Sequence, residues 1–179
     1  MHDARDHGDR SAERHHAQAE AQTDPVLAIA VITASDTRTA DDDVSGAWLC
    51  KAIAEAGHRL VVHLRCPDER EAIGAALDEA VDRGARAVLL TGGTGIARRD
   101  VTADVVEARI ERALPGFGEL FRMLSFHEVG AAAMLSRALA GTYRGAFVVA
   151  LPGSTAAVRL AWERLLAPEL RHVVWELAR

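Results

Sequence analysis

Val26-Leu-Ala-Ile-Ala-Val-Ile-Thr33 is a continuous apolar run that opens directly after Pro25. A strand with one wet face alternates apolar and polar residues, so a run without alternation reads as a strand buried on both faces, at the centre of a parallel sheet. The residues that follow repeat that theme. Ala47, Leu49, Ile53 and Ala54 recur near helical spacing between Ser45 and Ala56, and Gly57 stops the pattern as a helix-terminating glycine. Arg59 to Arg65 then reads as a second strand, Asp68 to Arg83 as a helix closed by Gly84, and Ala85 to Thr91 as a third strand. Further helices are predicted over Val101 to Ala113, Gly118 to Leu124, Glu128 to Ala140 and Thr155 to Leu166, with a late strand from Tyr143 to Leu151. Strands alternating with helices of this length predict a three-layer α/β/α protein with an open, mostly parallel sheet.

The 179 residues suit one domain, predicted over 25–179. Residues 1–24 are polar and hold four of the eight histidines, His2, His7, His15 and His16, and read as a disordered tail. A net charge of −5 argues against a nucleic-acid partner. Cys50 and Cys66 form neither a disulfide framework nor a CxxC metal pair, which suits a reducing compartment. No apolar run is long enough to span a bilayer and no secretory signal opens the chain, so a cytoplasmic location and no membrane contact are expected. Lys51 is the sole lysine among 21 basic residues. A phosphate held by this chain must therefore rest on arginine, backbone N–H groups or a metal ion, which excludes a Walker P-loop and a Schiff-base lysine.

Ligands of such sheets sit beyond the carboxyl ends of the strands. Three loops there carry chemistry: Ser35 to Asp43, Thr91 to Asp100, and Leu151 to Thr155. Thr91-Gly-Gly-Thr-Gly95 places three glycines directly after a buried strand, where N–H groups can converge on an anion; the bland alternative is a tight strand-to-helix turn. The dinucleotide pattern GxGxxG fails, because its third glycine would fall at Arg98. Asp100 beside a phosphate nest would be repulsive without a cation between them, which suggests Mg²⁺ held by Asp100 with Asp68 as a second donor. The alternatives are favourable charge at a helix N-terminus for Asp100 and helix capping for Asp68. Asp41 to Asp43 reads as a solvated loop, Ser125-Phe-His-Glu128 as a helix capping box, and Ser154 or Thr155 as a helix cap.

Thr91-Gly-Gly-Thr-Gly-Ile-Ala-Arg-Arg-Asp-Val-Thr102, Pro115-Gly-Phe-Gly-Glu119, Phe121-Arg-Met-Leu-Ser-Phe-His-Glu-Val-Gly130, Leu135-Ser-Arg137 and Leu151-Pro-Gly-Ser154, together with Asp42-Asp-Val-Ser-Gly46, resemble the molybdopterin-binding family, in its molybdenum cofactor biosynthesis protein B (MoaB) and Mog branch. The likeness spans Leu27 to Leu170. It implies a molybdopterin-binding α/β fold assembled as homotrimers or homohexamers, in contact with other molybdenum-cofactor assembly proteins. Active members of the family are nucleotidyltransferases that adenylylate molybdopterin from Mg·ATP before metal insertion. The alternative within the same pathway is a non-catalytic molybdopterin-binding scaffold. By the resemblance, Asp68 and Asp100 fall where active members place essential aspartates. Ser35, Thr91, Gly92, Gly93, Thr94, Gly95, Arg99, Glu119, Ser125, Ser136, Pro152, Gly153 and Ser154 would line the nucleotide and pterin pocket.

Overall fold

The computed structural model describes residues 24–36 and 42–179. The apolar run becomes strand β1 (Ala28–Ala34), followed by α1 (Val44–Glu55), β2 (Arg59–Cys66), α2 (Arg70–Asp82) and β3 (Ala87–Thr91). Next come α3 (Thr102–Arg109), the two-residue β4 (Arg112–Ala113), α4 (Pro115–Val129), a 3₁₀ segment (Gly130–Leu135), β5 (Leu139–Tyr143) and β6 (Ala146–Leu151). The chain ends in α5 (Thr155–Ala161), a π-helical turn (Trp162–Leu166) and α6 (Ala167–Leu177).

The sheet order is β2-β1-β3-β6-β5-β4. β2, β1, β3 and β6 are mutually parallel, while β5 runs against both β6 and β4. Ile29, Val31 and Leu89 pack on one face against Leu49 and Ile53 of α1, Phe121 of α4, Val158 of α5 and Leu170 and Val174 of α6. Ala30, Ile32 and Leu90 pack on the other against Ile73 and Leu77 of α2 and Val105 and Val106 of α3. This is the expected three-layer arrangement. Ile29, Val31 and Ile32 are fully buried, each contributing about 1.5–3 kcal/mol over exposure.

Several local expectations fail for identifiable reasons. The Ala-rich stretch Glu128 to Ala140 is not a helix. α4 begins at Pro115, a favoured first-turn residue, and runs past the expected Gly118 to Leu124 until Gly130 turns the chain out at φ +64°. The segment then tightens into the 3₁₀ turn and enters β5. Ser125 consequently lies inside α4, buried, and the Ser125–Glu128 capping box does not form. The helix expected to Ala113 stops at Arg109, and Arg112–Ala113 pairs instead with Thr142 and Gly141. The late strand expected from Tyr143 is a hairpin: Tyr143 pairs with Ala146, and both intervening residues, Arg144 (φ +49°) and Gly145 (φ +77°), lie in the left-handed region. The helix expected to end at Leu166 continues to Leu177 through the π-helical turn. The Pro168 ring can neither donate to nor clear the carbonyl four residues earlier, and Arg164 lies inside that turn.

Lys51 stands on the outer side of α1, 3.6 Å from Glu55 with 73% of its side chain exposed. Of the predicted tail, only Asp24 falls within the described residues, exposed and accepting from the Val26 N–H at 2.8 Å.

Asp43 corrects the reading of Asp41 to Asp43 as a solvated loop. Asp41 lies outside the described residues and Asp42 is exposed, but Asp43 is buried as the N-cap of α1, its Oδ1 accepting from Gly46 N–H at 2.9 Å. Its Oδ2 lies 3.1 Å from His63 Nε2 and 3.4 Å from Arg65 Nε. Burial alone would raise this carboxyl; the Thr33 hydroxyl, the Gly46 amide and the charges of His63 and Arg65 together outweigh it and hold its pKa below the ordinary value. His63 is itself held low by burial and by Arg65. A Cβ on Gly46 would fall 2.4 Å from Asp43 Oδ2, 2.5 Å from Thr33 Oγ1 and 2.7 Å from His63 Nε2. Gly46→Ala is therefore expected to lower stability by about 2–3 kcal/mol in urea melts; a loss below about 0.5 kcal/mol would show that this cluster yields freely.

Candidate functional site

The strand order reverses between β1 and β3: the chain leaves β1 for β2 on one side and returns past β1 to β3 on the other. The loops after β1 and β3 therefore part at this point and leave a crevice, the place where ligands of doubly wound sheets bind. A cavity of about 280 Å³ lies there, lined by Ser35 and Asp36 after β1, Asp68 after β2, Gly92 to Gly95, Arg99 and Asp100 after β3, and Pro152 and Gly153 after β6.

Gly92 adopts φ +101°, and a Cβ there would lie 2.2 Å from the Ala34 carbonyl oxygen, so only glycine lets the two strand ends approach this closely. Gly92 N–H donates to Leu151 O at 3.0 Å and the Thr91 hydroxyl to Pro152 O at 3.2 Å, tying the loop after β3 to the loop after β6. Gly93 adopts φ +62°; a Cβ on it would fall 2.4 Å from Thr102 Oγ1 and 2.7 Å from Asp68 Oδ1. Among the described residues, these two oxygens, Thr94 Oγ1 and, outside the cavity, Asp43 Oδ2 are buried without a hydrogen-bond partner. Buried polar atoms are nearly always satisfied, so an unpaired group of this kind beside a glycine cradle has the chemistry of a surface that closes on a ligand.

Asp68 N–H donates to Asp36 Oδ1 at 2.9 Å, and Asp100 Oδ2 accepts from Ala97 N–H at 2.8 Å. Burial, then the charges of Asp36 and Asp100, push the Asp68 carboxyl above its ordinary value, against the pull of Arg99. Glu69, not Asp68, is the N-cap of α2, and it makes no side-chain cap bond, so helix capping does not account for Asp68. Cys66, nearby, is pushed up to about 11 by burial and by Asp68 and stays a thiol at neutral pH.

Ten of the sequence-predicted site residues thus meet in one cavity: Ser35, Asp68, Gly92, Gly93, Thr94, Gly95, Arg99, Asp100, Pro152 and Gly153. Thr91 supports it from below, fully buried. Ser154 caps α5, accepting from Ala157 N–H at 3.3 Å. Glu119 lines a separate groove with Leu114, Arg122 and Leu139. Ser125 is buried in α4, and Ser136 Oγ accepts from Ala138 N–H at 3.3 Å. Two residues that sequence reasoning missed bear on the site. Asp36, the residue after Ser35, was within reach of the strand-end rule. Arg137, which grips the loop after β3 through Gly95 O at 2.7 Å, stood in the Leu135-Ser-Arg137 motif but was given no role.

Fold and site together define a doubly wound α/β protein with an anion- and cation-compatible crevice at its switch point. The chain belongs to the family described as "Probable molybdopterin binding domain", which matches residues 30–172. It is 46% identical over 151 residues to the molybdenum cofactor biosynthesis protein B of Bacillus subtilis (strain 168), covering 83% of this chain and 89% of that protein. It is 40% identical over 158 residues to the protein of the same name from Staphylococcus aureus (strain MRSA252), covering 84% and 91%. A crystal structure of a molybdenum cofactor biosynthesis protein B superposes with TM-score 0.84 at 43% identity over 87% of this chain and 99% of that one. The tungsten cofactor synthesizing protein MoaB from Pyrococcus furiosus superposes with TM-score 0.80 at 34% identity, over 87% and 99%. Among the described residues, no helix is long and apolar enough to cross a membrane.

The raised Asp68 carboxyl gives a pH test. The folded group binds its proton more tightly than the unfolded one, so its contribution to stability is present below pH 3.8 and is lost as pH rises through the higher folded value. Asp68→Asn is expected to melt above wild type at neutral pH in cation-free buffer, with the gap closing as pH falls through that window. Equal melting temperatures at neutral pH would show that the carboxylate is not under electrostatic strain.

Proposed function

We propose that this chain acts in molybdenum-cofactor biosynthesis as an adenylyltransferase that uses Mg·ATP to activate molybdopterin. The observation that carries the reading is the meeting of Asp68, whose negative charge is disfavoured in the free protein, with Asp100, Arg99 and the glycine loop around one cavity. Such a site is relieved by ligands that bring both a cation and phosphate oxygens.

Asp100 and Asp68 would hold Mg²⁺, which when bound supplies charge neutralisation for the phosphates. The remaining work falls to the chain. The backbone N–H groups from Gly92 to Gly95 offer donors to phosphate oxygens, and Arg99 lends positive charge at the exposed rim. The fully buried Thr91 braces the loop so that its geometry is set before substrate arrives. In the reaction, a terminal phosphate oxygen of molybdopterin bonds to the α-phosphorus of ATP, the bond from that phosphorus to the bridging oxygen breaks, and pyrophosphate leaves with the electron pair. Catalysis of this kind is mostly alignment and charge stabilisation, which suits a site without a side-chain nucleophile.

The direct check is adenylylated molybdopterin formed from ATP and Mg²⁺ by the purified protein. Asp100→Ala is expected to cut the rate by about two orders of magnitude or more, the scale of removing a group that stabilises developing charge. Full turnover by that variant would remove Asp100 from the mechanism, and pterin bound without product would identify a scaffold instead.

Self-association belongs to the same reading. Leu120, Met123, Phe126 and Val129 recur at three-residue spacing along α4 and are 48–59% exposed, continuing into Met134 and Leu135. A stripe of this size on a helix surface marks a contact face, taken here as the face between copies of the chain. Phe126→Glu is expected to shift the mass in light scattering from trimer or hexamer to monomer while far-UV dichroism stays unchanged; an unchanged mass would place the contact elsewhere.

A further inference from the structure

We propose that Arg137 is the positioning residue of the phosphate loop, one guanidinium holding both ends of the turn from Gly95 to Asp100; the proposal deepens the adenylyltransferase reading and rests on it. Residues 96–99 of this turn are exposed, and its one large apolar side chain, Ile96, is 69% exposed. The hydrophobic core therefore does not hold the turn. Its internal bonds, Asp100 N–H to Ala97 O at 2.9 Å and Ala97 N–H to Asp100 Oδ2 at 2.8 Å, set its curl without fixing its place on the protein.

Arg137 supplies that place. Its backbone N–H donates to Thr94 O at 2.9 Å. Nε donates to Gly95 O at 2.7 Å, Nη2 donates to Asp100 O, and Nη1 meets Asp104 Oδ1 at 2.6 Å. Asp104, in the first turn of α3, is also 3.5 Å from Arg70 Nη2, so the carboxylate that orients Arg137 is anchored to α2 as well. Three directed donors on one rigid plane suit this geometry, and the compact ammonium of lysine cannot reproduce it. Charge-assisted bonds are the stronger class of hydrogen bond. The two carbonyls flank the segment that carries Arg99 and ends at Asp100, so loss of Arg137 frees both groups at once while the cavity's other walls stay in place.

The experiment compares wild type with Arg137→Ala, Arg137→Lys and Asp104→Asn. The first readout is amide hydrogen exchange without ligand. Arg137→Ala is expected to speed exchange of the peptides covering residues 93–101 by about tenfold or more, with β1 and β6 unchanged, and Arg137→Lys and Asp104→Asn to do so by less. The second readout is adenylyl transfer with Mg·ATP: kcat should fall more than KM rises, and guanidinium at non-denaturing concentration should restore part of the Arg137→Ala loss but none of the Asp100→Ala loss.

Unchanged exchange in residues 93–101 would overturn the proposal. So would a uniform acceleration across the protein without guanidinium rescue, which would make Arg137 a general stability residue. If Arg137→Ala does not fold, the lysine and Asp104→Asn variants decide on the same exchange criterion. If wild type transfers no adenylyl group, the proposed function fails, while the exchange comparison still decides whether Arg137 holds the loop.

Discussion

β1, β3 and β6 are covered by helices on both faces, and Thr33, Thr91 and Leu151 bring their ends into register at one edge of the sheet. Two-sided burial confines the polar groups of β1 and β3 to Thr33 and Thr91 at their carboxyl ends, so chemistry is displaced to the loops that leave them. The close approach of Gly92 to the Ala34 carbonyl is what turns that edge into a continuous site. With any larger residue at Gly92 the loops after β1 and β3 would separate, and the groups that line the cavity would no longer share it.

The electrostatics of the edge divide it in two. On the α1 side, Asp43 is as deeply buried as any core residue but is compensated by Thr33, Gly46, His63 and Arg65, and its charge is favoured. On the cavity side, Asp68 faces Asp36 and Asp100, with Arg99 as its opposing charge, and its charge is disfavoured. The first arrangement is how a protein stabilises a buried carboxylate. The second costs stability and persists where binding requires it.

The layers of the fold were legible in the sequence where a hydrophobic pattern runs over a whole element. The unbroken apolar run of β1 and the glycine stop after α1 carried the layers and the parallel core, and the strand-end rule pointed to the loops that meet around the cavity. The failures follow from interactions that are not local. Arg144-Gly145 closes a two-residue hairpin without the usual Asn-Gly signal, so the strand expected from Tyr143 ran through the turn into β6 and β5 went unrecognised. The alanines after Gly130 have high helix propensity, but the glycine's left-handed turn and the pairing of Leu139–Tyr143 with β6 override it. Asp43 and Arg137 owe their roles to partners 20 and 42 residues away, His63 and Gly95, and no pattern within a window of sequence records such pairs.

The isolation of Lys51 on the outer side of α1 has a chemical corollary. Among the described residues, the cationic side chain that lines the cavity is the guanidinium of Arg99, and the sequence's single lysine lies on α1, so lysine-directed acylation finds no target in that lining. A fluorophore coupled through lysine would report from one defined point on the helix that shields β1, leaving the glycine loop after β3 chemically untouched.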